Sequence, residues 1–100
     1  MIIRYKYDEM IHKANEIESN LPNLLEADDW EGILSIATVP EEFWTGHAAN
    51  DYHDFLREVV KRKDVTKVYN LPKWIKACVS QMQERDNKAA AIIKQNLSMF

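Results

Sequence analysis

Apolar residues along this chain recur at three- and four-residue spacing almost throughout. Ile3, Tyr7, Met10, Ala14 and Ile17 form one stripe, with Ile2 and Ile11 widening it, so the spacing predicts an amphipathic helix from the start of the chain. Pro22 is expected to end that helix, because its ring clashes with the Glu18 carbonyl and Leu21 is pushed from the α region. Asp28 or Asp29 then offers an N-cap for a second helix whose buried side is Trp30, Ile33, Leu34 and Ala37. Gly32 inside it costs about 1 kcal/mol against alanine. Pro40 opens a helical turn that Gly46 stops, and Trp44, between them, is the aromatic expected at the surface.

Asn50 is the expected cap of a third helix, where Tyr52, Phe55, Leu56, Val59 and Val60 repeat at three and four. Lys61, Arg62 and Lys63 crowd its last turn, where cations complement the helix dipole. Residues 64–70 fit either one more turn or an extended connection. Pro72 opens a further helix with Trp74, Ile75, Cys78, Val79 and Met82 on one face, and Ala89, Ala90, Ile93 and Leu97 resume that face. Residues 85–87 read as a break, with Asp86 capping a last helix. The tripeptide Asn-Leu-Pro occurs at 20–22 and 70–72 and reads as one helix-entry device used twice. No useful stretch alternates with period two. The expected fold is all-α, a single domain over residues 1–100, a compact bundle of four to six helices.

Composition removes whole classes. With 46% hydrophobic and 29% charged residues and only 2 Gly and 3 Pro, the 100-residue chain is neither disordered nor collagen-like. One cysteine, Cys78, makes no intramolecular disulfide, and no apolar run reaches the ~20 residues of a membrane span. These features lead to the expectation of a soluble, cytoplasmic protein with no membrane partner.

Charge changes the picture more. The net charge of −3 conceals a segregation: residues 1–54 carry 12 Asp and Glu against Arg4, Lys6 and Lys13, while residues 55–100 carry ten Lys and Arg against four acids. No Lys or Arg stands between Lys13 and Arg57. The two halves could pair with each other, or the acids could serve helix N-termini. Alternatively the acidic segment forms a surface for a basic protein partner, with Glu26, Asp28, Asp29, Glu31, Glu41, Glu42, Trp44, Asp51 and Asp54 as the expected contact residues. In the basic half, Arg57, Lys61, Arg62, Lys63, Lys67, Lys73 and Lys76 suggest a phosphate-tracking patch, but a pI near 5.6 argues against direct nucleic-acid binding.

Candidate chemistry is sparse. Glu9 and His12 make a single Glu-x-x-His without the second copy a di-iron bundle needs. His47, Asp51 and Asp54 would share a helix face, and the His53-Asp54 dipeptide resembles the metal-binding pair of HD phosphohydrolases, which are also helical. That resemblance covers two residues and implies, as a lesser alternative, a small metal-dependent hydrolase built on His47, His53 and Asp54. Cys78 lies on an apolar stripe and reads as an inert thiol. Glycine-rich phosphate loops, nucleophile elbows and Cys/His zinc spacings are all missing. The expectation is therefore a non-enzyme without cofactor or metal. In length, acidity and helical character the chain is similar to toxin-neutralising immunity proteins of bacteria and to phage-encoded inhibitors, although no residue motif carries that likeness. It implies an inhibitor that covers the active or substrate-binding surface of a basic enzyme such as a toxin nuclease. A nucleic-acid-associated regulator using the basic half is the runner-up.

Overall fold

A computed structural model describes the backbone of residues 2–98 and the side chains of residues 6–85. The fold is all-α: α1 (Ile2–Glu26), α2 (Trp30–Ala37), α3 (His47–Arg62) and α4 (Asn70–Ser98), with a 3₁₀ turn (Lys67–Tyr69) leading into α4. Four helices is the low end of the expected range. The apolar stripes become the core directly: Met10, Ala14, Ile17 and Leu21 from α1, Trp30, Ile33 and Ala37 from α2, Tyr52, Leu56 and Val59 from α3, and Leu71, Ile75 and Val79 from α4. Phe55, Val60, Trp74, Cys78 and Met82 sit half-buried at its edge. Ile2 and Ile3, and Asp86, Ala89, Ala90, Ile93 and Leu97, lie outside the described side chains. No described polar or charged side chain is buried in the core.

α1 and α4 form the largest helix–helix interface and run antiparallel. Lys76 reaches Glu18 at 3.0 Å, and Met82 shares a groove with Tyr7 and Met10 one end further along. α2 packs on α1, and α3 packs on α2 and α4.

Both connections out of α1 and α3 use the same device. The amides of Asp28 and Asp29 donate to the carbonyls of Leu25 and Leu24, and those of Lys63 and Asp64 donate to Val60 and Val59. This is the Schellman pattern, with Asp28 (φ 53°) and Lys63 (φ 50°) in the left-handed position usually given to glycine. Asp29 caps α2, its carboxylate accepting from the Gly32 amide at 2.9 Å. Gly32 has a purpose here, since a Cβ at that position would lie 2.5 Å from the Asp29 carboxylate.

Several sequence expectations are corrected. Pro22 does not end α1, which runs on to Glu26. Pro22 and Glu18 are both exposed residues, on the solvent side of the helix, while Leu21, Leu24 and Leu25 hold the following turn to the core. The second Asn-Leu-Pro does open a helix: Pro72 sits in the first turn of α4, where amides have no intrahelical partner. Asn50 is no cap. α3 starts three residues earlier at His47, with Gly46 at the N-cap position and the Asn50 amide donating to the Gly46 carbonyl. Gly46 has φ 102° and ψ −171°, a conformation essentially confined to glycine. The 85–87 break is absent, α4 passing through it as continuous helix. Residues 64–69 form a turn followed by the 3₁₀ segment, organised by the Asp64 carboxylate, which accepts from the amides of Thr66 and Lys67.

Candidate functional site

The connection between α2 and α3 is held by side-chain hydrogen bonds to the backbone. Tyr52 donates its hydroxyl to the Ala37 carbonyl at 2.7 Å, closing the C-terminus of α2 onto α3. The next residue, His53, bridges the Ala49 carbonyl (2.7 Å) and the Val39 amide (3.1 Å). An amide can only donate, so His53 Nε2 accepts and Nδ1 carries the proton that binds Ala49. The Pro40 turn then brings the Trp44 amide back to the Pro40 carbonyl and lays its indole against Tyr52, with ring centroids 5.3 Å apart. Trp44 is consequently 5% exposed. This corrects the expectation that it offers an exposed partner contact: a short turn between proline and glycine folded inward because an aromatic slot awaited it. An open groove of about 410 Å³ borders the connection, touched by Thr38, Glu41, His53 and Arg57.

The His53-Asp54 dipeptide divides in two. Both His53 ring nitrogens are occupied by backbone groups, whereas Asp54 points outward to Arg57 at 2.6 Å. His47, Asp51 and Asp54 do share the exposed face of α3. Among the described residues, no group of three His, Cys, Asp or Glu side chains is placed to hold a metal ion. Burial pushes the Cys78 thiol above its ordinary value, a shift that its contact with Trp74 partly offsets. Burial raises Tyr52 far above the usual phenol range.

The acidic residues fall into two groups, at the two ends of α2. At its start lie Glu26, Asp28, Asp29 and Glu31; beyond its end lie Glu41, Glu42 and, across on α3, Asp51 and Asp54. All are exposed, and α2 itself is about 12 Å long. Three have internal duties. Asp28 accepts the Trp30 indole N–H at 2.7 Å and faces Lys63 at 4.0 Å, Asp29 caps α2, and Asp54 pairs with Arg57. Glu26, Glu31, Glu41, Glu42 and Asp51 make no ion pair among the described residues.

Only two described ion pairs join the acidic half to the basic half beyond one helix, Glu18–Lys76 and Asp28–Lys63; the other two are local to α3, Asp54–Arg57 and Glu58–Arg62. The basic side is not an unbroken positive surface, because Glu58 and Asp64 stand among its cations. Sequence reasoning missed its apolar members. Val65 (56% exposed) and Tyr69 (44%) are the large hydrophobic side chains left in solvent among the described residues. Both lie in the 64–70 stretch where three-and-four spacing lapses, and that lapse is the one signal the sequence carried. Among the described residues no helix is long and apolar enough to cross a membrane. No known protein family, curated protein or solved structure matches this chain.

Proposed function

We propose that the protein is a non-catalytic binding module that engages a basic partner through the carboxylates around α2, in the manner of an intracellular inhibitor. The observation that supports this is the set of exposed acids that make no ion pair among the described residues: Glu26 and Glu31 near the start of α2, and Glu41, Glu42 and Asp51 after its end in the chain. Apart from Glu31, which complements the dipole in the first turn of α2, these carboxylates neither cap a helix nor pair among the described residues, and such charges raise the association rate with a positively charged surface. A basic enzyme whose substrate is itself a polyanion, such as a nuclease, is the partner class this charge would mimic and cover. A lone thiol on a half-buried site suits a reducing, cytoplasmic setting.

The test uses the wild type and a variant carrying Glu31→Lys, Glu41→Lys, Glu42→Lys and Asp51→Lys as baits in native cell extract at low and high salt. The wild type is expected to retain a basic protein at low salt, to release it at high salt and to lower its enzymatic activity when the two are mixed. The variant is expected to keep the wild-type thermal midpoint and to retain nothing. Equal retention by both baits refutes the proposal.

A further inference from the structure

The Lys63–Asp28 contact does more than join two loops. It sets the acidic α1–α2 corner directly beside the basic exit of α3, so that opposite charges lie side by side at one end of the molecule. Glu26 and Glu31 flank Asp28 on the acidic side; Lys61 and Lys67 flank Lys63 on the basic side. All four are exposed, and none makes an ion pair among the described residues. Two acids stand among these cations: Asp64 accepts from the amides of Thr66 and Lys67, and Glu58 pairs with Arg62, which leaves Lys61 and Lys67 unpaired among the described residues. Val65, two residues after Lys63, and Tyr69, two after Lys67, are both exposed large apolar side chains in the segment that follows α3.

A two-fold axis places residue i of one copy opposite residue j of the other, and j opposite i. An end with an acidic and a basic patch side by side is self-complementary under that operation: the acidic corner of each copy covers the basic edge of the other. The apolar residues of the edge then become buried between them. We infer that this end is a homodimer interface, with Glu26 and Glu31 of one copy facing Lys61 and Lys67 of a second and Val65 in the contact. One corner of a small protein offers less area than obligate dimers bury, so the association is of the weak, reversible class and responds to salt. The inference needs no foreign partner; it shares Glu26 and Glu31 with the face assigned to a basic partner, and an experiment on the purified chain alone tests it separately.

The experiment is sedimentation equilibrium of the purified chain across concentration, at low and high salt. The wild type is expected to rise from monomer to dimer mass with concentration at low salt and to stay monomeric at high salt. Two charge-reversed variants, Lys61→Glu with Lys67→Glu and Glu26→Lys with Glu31→Lys, are each expected to be monomeric alone and to form a heterodimer when mixed. Val65→Asp is expected to be monomeric with an unchanged thermal midpoint, which separates lost contact from lost fold. A wild type that stays monomeric throughout, growth beyond dimer mass, or a mixture that fails to associate overturns the inference. So does a monomer that instead binds a single-stranded oligonucleotide through Lys61 and Lys67, which would make the edge a nucleic-acid site.

Discussion

Asp28 and Lys63 show how one residue can look like surface charge and serve the backbone. Each holds the left-handed position that ends a helix, where a Cβ strains the chain by about 1–3 kcal/mol. Lys63 gains only an exposed, 4.0 Å ion pair in return. Lys63→Gly is therefore expected to stabilise the protein by roughly 0.5–1 kcal/mol, the relief of strain exceeding glycine's added freedom in the unfolded chain. Asp28→Gly is expected to give no such gain, because the Trp30 indole N–H loses its acceptor. Urea unfolding of the two variants measures the difference. Tyr52 supplies a pH test of the same kind. Its folded-state value is raised by burial, so above the ordinary phenol range, about pH 10, the unfolded chain gives up a proton that the folded chain keeps. Stability should fall with rising pH from there, by about 1.4 kcal/mol per pH unit for this one group. Tyr52→Phe should be less stable at neutral pH, where the Ala37 carbonyl is left without its donor, and should lose that part of the alkaline slope.

At the scale of the elements, the helices were legible wherever three-and-four spacing ran unbroken, because the buried stripe is a property of the sequence itself. Met10, Ala14, Ile17, Ile33, Tyr52, Leu56, Val59, Ile75 and Val79 were all on the stripes and all are buried. Boundaries were less legible, since a boundary depends on what the next element packs against. Asn-Leu-Pro illustrates it: at 70–72 the proline falls in a first turn and opens α4, while at 20–22 the same tripeptide is carried through because Leu21 and the leucines after it are held by the core. Proline in a helix interior costs about 3 kcal/mol, reduced here by its place on the solvent side of α1 and by the unfolded-state entropy that proline removes. Pro22→Ala is accordingly expected to stabilise the protein by about 1–2 kcal/mol and to raise the thermal midpoint by several degrees, as read by circular dichroism. Pro72→Ala, in a first turn but fully buried, should instead lower the midpoint, because removal of the ring leaves a cavity against the core. Trp44 was misread for the converse reason. Its burial depends on the slot formed by Tyr52 and His53, which no local pattern around residue 44 contains.

Over the whole molecule, the charge segregation raises the question whether opposite halves hold the fold together. The core answers from the apolar side: α1, α2, α3 and α4 meet through one cluster, and among the described residues no Asp, Glu, Lys, Arg or His is buried in it. Among the described residues, the ion pairs Glu18–Lys76 and Asp28–Lys63 join the halves, with side chains 38–72% exposed. Pairs of that exposure contribute about 0–1 kcal/mol each and weaken with salt. Against them stand carboxylates on residues 26–31 and 41–42 that repel one another and that salt relieves. The two effects oppose and are each small, so the unfolding free energy should shift by less than about 1 kcal/mol between low salt and 1 M sodium chloride, where the screening length falls to about 3 Å. Association, by contrast, rests on the charges that the core does not use, and should weaken steeply over the same range. Parallel urea titrations and sedimentation runs at the two ionic strengths separate the two responses. Loss of several kcal/mol of stability in salt would mean that the acidic and basic halves are each other's partners and that their charge is spent inside the fold.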